Sequence, residues 1–194
     1  MLAEAGFDIA HAFDTARVAE LAPALAAKRR GILVGNTRAL WAPFRAACAR
    51  ELAGAADPLE RYTEAVVARA FPGAPVWFAH RRHDGAFLPF QRIAAAAGLG
   101  VLAPTQLVIH PVYGPWFALR AIALVDGEPP TESAPPRVPC CSGDCPARLD
   151  AALRSGGDWR AWLAVRDACA VGRAYRYSDE QIAYHYTKNR ALLG

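Results

Sequence analysis

The chain has 194 residues, of which 54% are apolar and 21% charged, with a formal net charge of +4. That length suits one domain with a core of its own and no need of disulfide or metal staples, and its apolar runs are broken by Pro, Gly or charge well short of the ~20 residues a membrane helix requires. The basic residues, nearly all Arg apart from Lys28 and Lys188, are dense only at Lys28-Arg29-Arg30 and Arg81-Arg82, too briefly for a nucleic-acid footprint.

The N-terminal stretch carries acids early and lacks a basic-then-apolar signal pattern, so a cytoplasmic protein is expected. Five Cys, an odd number, argue against a disulfide framework in that setting. Residues 1–27 are Ala-rich and read as helix broken by Pro23. Gly31 to Gly35 reads as a buried strand, after which Asn36-Thr37 cap a helix with Leu40, Trp41, Phe44, Cys48 and Leu52 on one face. Asp57-Pro58-Leu59-Glu60 resembles a capping-box start, and its helix ends near Phe71-Pro72-Gly73. Pro75 to His80 reads as a strand, Arg81 to Gly85 as a polar loop, and Pro89 to Ala97 as a helix closed by Gly98.

The stretch Thr105 to Arg120, TQLVIHPVYGPWFALR, predicts two strands joined at a Pro/Gly turn. Such a turn marks a backbone that reverses or approaches something closely, as where a flat ligand is held. Asp126 to Pro139 holds five Pro in fourteen residues and cannot be regular. Pro146 to Arg154, Asp158 to Ala170 and Ser178 to Leu192 read as three further helices, with Ser178 and Gln181 as a capping box.

Three arginines fall where periodicity calls for apolar residues. Arg120 shares a period-two face with Trp116, Ala118, Ile122 and Leu124; Arg166 lies on the helical stripe of Trp159, Trp162 and Leu163; Arg190 continues the face of Ile182 and Tyr186. A partly buried guanidinium needs acceptors. For any one of them an ion pair with an acid such as Asp167 or Glu180 suffices, whereas three together favour a pocket for an anionic ligand.

Cys140, Cys141 and Cys145 cluster before a helix, and C-x3-C-P matches the end of a ferredoxin motif whose upstream cysteines are missing. Reduced loop thiols, a zinc site, a partial iron–sulfur ligand set with Cys169 and a redox-active thiol are the readings open there. His80, His83 and His110 are read as hydrogen-bonded structural histidines, with a three-histidine metal site as the alternative. G-x-x-x-x-G-K-[ST], G-x-G-x-x-G and G-x-S-x-G are all absent, which removes the common nucleotide-binding and hydrolase motifs.

The pieces GFDI followed by AF, Asp57-Pro58, VIHPVYGPWFALR, the Pro-rich loop, WRAWLAVRDA and YSDEQIAYHYTKNRALLG resemble, in that order, the cobalamin-processing proteins of the CblC type, the cyanocobalamin reductases or alkylcobalamin dealkylases. The resemblance implies an α+β, nitroreductase-like (flavin-reductase-like) fold: a central antiparallel sheet flanked by helices, with a Pro-rich loop and C-terminal helices. One domain would comprise a core of about 1–126, a Pro/Cys loop at 127–146 and C-terminal helices at 147–194. Such proteins bind cobalamin with its lower base detached, remove cyanide with a reduced flavin, and pass the upper alkyl group to the thiolate of glutathione. Arg120, Arg166 and Arg190 match the family's glutathione-binding arginines. Thr105, Gln106, Leu107 and Val108 match corrin contacts made mostly through backbone, and His110, Tyr113, Gly114 and Trp116 would complete them at the turn.

Three departures stand out. A family His associated with cobalamin handling falls at about Ala95, and the stretch from Gly98 to Thr105 is shorter than in animal members. The cysteine cluster is fuller and resembles the ferredoxin segment of epoxyqueuosine reductases and reductive dehalogenases, although the chain lacks room for their two clusters. The alternatives are a non-enzymatic cobalamin-trafficking chaperone, a flavin-dependent reductase, or an epoxyqueuosine-reductase-like corrinoid protein. The resemblance leaves open whether FMN or FAD is bound or a flavin reductase partner supplies electrons, whether a downstream cobalamin-accepting protein is engaged, and whether the chain forms a homodimer.

Overall fold

The computed structural model describes residues 1–52, 54–131, 136–138 and 143–194. Four antiparallel strands form the main sheet in the order β1-β2-β6-β3: β1 is Ile9–Asp14, β2 Arg30–Asn36, β3 Val76–Phe78 and β6 Ala118–Val125. Two short strands, β4 (Val101–Leu102) and β5 (Val108–Ile109), pair only with each other. Among the described residues six α-helices accompany them: α1 Trp41–Ala47, α2 Pro58–Ala70, α3 Phe90–Ala96, α4 Cys145–Arg154, α5 Trp159–Ala168 and α6 Asp179–Thr187. Among the described residues no helix is long and apolar enough to cross a membrane.

Each face of the main sheet carries its own core. Ile9, Phe13, Leu33, Ile122 and Leu124 pack with Phe90 and Ile93 of α3, while Val34 and Ala121 pack with Phe44 of α1, Val66 of α2 and Tyr184 of α6. Trp77 joins the first cluster and its neighbour Phe78 the second, as alternation along a strand requires.

The N-terminal region is not the helix its alanines suggest. Ile9 and Phe13 point to one face of β1, which pairs with β2 from Ile9–Gly35 to Asp14–Arg30, and short 3-10 turns take up Thr15–Val18 and Pro23–Ala27. Pairing with β2 overrides a helix propensity worth only tenths of a kcal/mol per residue. At α2 the expected start is correct, with Pro58 at the first position, but the Asp57 side chain makes no cap bond. Ser178 does cap α6, accepting from the Gln181 N–H at 3.2 Å.

The Pro/Gly turn does not join two strands of one sheet. β5 ends before it and pairs back to β4, whereas β6 begins beyond it in the main sheet. The close approach announced by Gly114 is to the chain itself. Its φ is +57°, and an added Cβ would stand 1.9 Å from the Val171 carbonyl oxygen; one on Gly172 would meet the Tyr113 carbonyl carbon at 2.1 Å. Two backbones touch here, and only glycine allows it.

Candidate functional site

Arg120 sits at an irregularity in β6. Val34 pairs with Ala121 but Gly35 with Leu119, so Arg120 is the extra residue of a bulge. Side-chain parity switches there: Phe117 and Leu119 pack in the same cluster as Ile122 and Leu124, so Arg120 does not share the face of Ile122 and Leu124 that strict alternation predicts. Its Nε donates to Asn36 Oδ1 at 2.6 Å. Asn36 is wholly buried and donates its own amide to the Thr37 carbonyl. The Nη2 of Arg120 is buried without a partner, and burial lowers the guanidinium's pKa against the weaker pull of Tyr177, Glu60 and Tyr184.

Arg166 comes from α5, whose N-terminus Asp158 caps by accepting from the Arg160 N–H. It donates through Nη2 to the Pro115 carbonyl at 2.6 Å and lies over the rings of Trp116 and Tyr177, 4.6 and 5.4 Å from their centroids. Its Nε is buried and unpartnered. Tyr177 and His185 both feel the charges of Arg120 and Arg166, so the two guanidiniums converge on the same pair of rings.

The expected acids serve other residues. Asp167 accepts from Arg176 Nε at 2.7 Å, and Glu180 accepts from Arg45 at 3.1 Å and from the Trp41 indole at 2.9 Å. Among the described residues neither Arg120 nor Arg166 has a carboxylate partner. Two cations held with spare N–H donors make a receptor for an anion, since a buried donor left unpaired costs about 1–3 kcal/mol.

Arg190 does not join them as expected. α6 stops at Thr187 because Lys188 turns left-handed at φ +55°, which takes Arg190 off the face of Ile182 and Tyr186. It lies exposed in a 3-10 turn, Arg190–Leu193, where its charge acts on Cys48 and Tyr184. Tyr184 also feels Arg120, so the charges of Arg190 and Arg120 both reach that ring.

A cavity of about 470 Å³ opens beside Arg166. Thr105, Leu107 and Val108 line it from the β4–β5 hairpin, Phe90 and Gln91 from α3, and Trp162, Val165 and Tyr186 from the C-terminal helices. The hairpin's backbone is largely committed: Val108 N–H donates to Gln91 Oε1 at 2.7 Å, and the Leu107 carbonyl accepts from Ala103. Side chains of Thr105 and Leu107 are therefore what the hairpin presents to the cavity. Gln106 is exposed at its tip with φ +63°.

The turn residues are spent on packing. His110 stacks on Tyr113 at 4.5 Å, and its Nδ1 accepts the N–H groups of Val112 and Tyr113. Burial, then the neighbouring His11, pushes its pKa down to about 4. Trp116 is 1% exposed and supports the Arg166 guanidinium.

His80 bonds Glu64, and His83 bonds the Phe78 carbonyl, so the three histidines are structural and separate. Among the described residues no three His, Cys, Asp or Glu groups could hold a metal. Cys145 is buried at the start of α4; Cys140 and Cys141 lie outside the described residues.

Sequence reasoning passed over three residues of the arginine site, Asn36, Tyr177 and His185, and the buried Gln181 on the helix that carries His185. Gln181 is 1% exposed with an unpartnered amide nitrogen, and the Tyr177 hydroxyl reaches the Asn36 carbonyl at 3.4 Å. The signal was present, since Gln181 and His185 are four apart on a helix whose other inward residues, Ile182 and Tyr184, are buried.

No protein-family model matches the chain. It is similar to the human cyanocobalamin reductase / alkylcobalamin dealkylase, 46% identical over 94 residues that make up 44% of this chain and 30% of the human protein. The cattle (Bos taurus) and mouse proteins of the same name are 37% and 36% identical over 89 residues, 44% of this chain and 31% of each of theirs. The matched segment thus spans under a third of these relatives' length. In fold it is similar to the B12-trafficking protein CblC of C. elegans, a homologue of human MMACHC, with a TM-score of 0.62 and 17% identity, covering 98% of this chain and 90% of that one. Sequence similarity over part of its length and fold similarity over nearly all of it thus point to the same group of proteins.

Proposed function

We propose that the chain binds a corrinoid base-off and removes its upper axial ligand, by glutathione-dependent dealkylation and by reductive decyanation. The observation that carries this reading is the pair of guanidiniums, Arg120 and Arg166, held without carboxylate partners, with Arg166 lining a largely apolar cavity. Glutathione brings the carboxylates they lack and a thiol to deliver. A cavity of about 470 Å³ suits a drug-sized ligand, and a whole corrinoid would extend past its mouth along Thr105 and Leu107.

In dealkylation the thiolate sulfur attacks the alkyl carbon. The S–C bond forms as the Co–C bond breaks, and the bonding pair stays on cobalt. Arg120 and Arg166 grip the carboxylates so that sulfur and carbon meet in line, which replaces a bimolecular encounter by an oriented one. Arg190, at the edge of the site, would hold a second carboxylate. The protein positions while cobalt and sulfur react.

Decyanation draws electrons from a reduced flavin. The apolar walls of the cavity suit a flat ring, so the flavin, FMN or FAD, would lie there or act from a partner flavin reductase. The same reading takes the fold as nitroreductase-like, residues 1–194 as one cobalamin-processing domain, and the setting as the cytoplasm.

Methylcobalamin followed by absorbance with glutathione tests the proposal. Wild type should shift the cobalamin to the base-off spectrum and then yield methylated thiol, and Arg120→Ala should lose the second event while keeping the first. A shift without thioether would make the chain a chaperone that binds and hands on its cargo. Absence of any shift at micromolar cobalamin, with tight flavin binding, would make it a flavin reductase.

A further inference from the structure

His185 is the least explained residue of the arginine site. It projects from α6 with its ring 5.5 Å from Tyr177 and 6.1 Å from Tyr184, and its Nε2 is buried with no hydrogen-bond partner. Arg120 Nη2 from β6 and Arg166 Nε from α5 are in the same condition. Its charged neighbours are Arg120, Lys188 and Arg166, all cations, and the two tyrosines beside it are uncharged because burial raises both of their pKa values. Three buried nitrogens from three separate elements thus belong to groups gathered about the Tyr177 ring, and among the described residues no acceptor serves them.

We propose that His185 is a third anion-recognising group of this site, neutral in the free protein and protonated when an anionic ligand enters. Resting on the reading of the arginine pair as the carboxylate grip, it adds that binding is coupled to uptake of one proton. Without ligand, a charge on the imidazole would be a third cation in a desolvated place, and burial followed by Arg120, Lys188 and Arg166 holds its pKa down to about 3. A carboxylate between the arginines cancels those charges. The Nε2–H of an imidazolium then finds the acceptor it lacked, and the balance reverses. No bond to carbon or sulfur changes; a proton moves from solvent to Nε2.

The consequence is measurable. A ligand that binds with uptake of a proton gains affinity as pH falls, by up to about tenfold per unit, where the free group is neutral and the bound one charged. His185 ring signals followed by NMR between pH 4 and 8 should stay in the neutral form in the free protein. Saturating glutathione should raise the midpoint by about 2 units or more, into the window where binding is compared. Sulfate serves as a second probe anion. If glutathione fails to bind while sulfate raises the midpoint, the thiol reading falls and the His185 proposal stands. If glutathione binds and neither anion moves the midpoint, the His185 proposal falls and the thiol reading stands; if neither anion binds or moves it, the His185 proposal falls as well.

Titration calorimetry in two buffers of different ionisation enthalpy gives the proton count independently. His185→Gln, which keeps a hydrogen-bonding side chain without titrating, should bind glutathione with no proton uptake and a flat pH dependence between 5 and 7. His185→Phe should show the same flat profile with weaker binding. Wild-type proton uptake in either variant would overturn the assignment.

Discussion

Arg166 and Arg176 lie over the same indole, 4.6 and 5.6 Å from the Trp116 ring centroid, and their charges are answered in opposite ways. Arg176 is bound by Asp167 at 2.7 Å and Asp179 at 2.8 Å, half-exposed, with its pKa raised by those two carboxylates. Arg166 has one carbonyl and two aromatic faces, and Arg120 one amide oxygen. The first arrangement is a closed surface network that asks for nothing more. The second leaves donors unspent in a desolvated place, which favours an anion brought from outside. Residue type says little about function here; what separates the two is whether the protein has already supplied the counter-charge.

The comparison can be broken most directly at Arg120. Arg120→Ala should lower thiol-dependent dealkylation by about 10- to 100-fold, the worth of one charge-assisted hydrogen bond, with cobalamin affinity changed only a few-fold; equal loss of both would deny the division of labour. Arg166→Lys keeps the charge but loses the planar contact with Trp116 and Tyr177 and the fixed geometry to Pro115, and should cost about 10-fold in the same assay.

A pH series sharpens the electrostatic side. His110 and His185 are held neutral in the free fold, with pKa values pushed down to about 4 and about 3, while the unfolded chain protonates them near 6.5. Between those limits the unfolded state binds more protons, so stability is full above pH ~6.5 and is lost as pH falls toward 4. Thermal melts should show that loss. Glutathione should restore the share belonging to His185 and leave that of His110, which has no anion site beside it. The smallest effect belongs to Arg176→Ala: an exposed network contributes under about 1 kcal/mol to stability, and dealkylation should stay within about two-fold of wild type, as for surface substitutions away from a site. A large loss there would mean that the two arginines over Trp116 are not distinct.

Local pattern was sufficient wherever one element's own residues decide its shape. Pro58 at the head of α2, Ser178 before α6, the apolar run of β2 and the glycine after α3 all signal structure within a few residues, and the structure has each. The oddity of Arg120 and Arg166 was also legible, because a charge on an apolar stripe violates periodicity wherever it lies. The N-terminal strand was not, since alanine hides its alternation and only β2 supplies the partner.

Three outcomes depended on contacts between distant parts. The bulge that turns Arg120 away from Ile122 exists only in the register of β6 against β2. The place of Arg190 follows from a left-handed Lys188 that ends α6 early. Above all, sequence alone set which arginines were unusual, while the tertiary structure decided which stayed unpaired. Asp167 and Glu180 were equally available on paper, and packing gave them to Arg176 and Arg45, because an ion pair is settled by distances of a few ångströms that no spacing along the chain encodes.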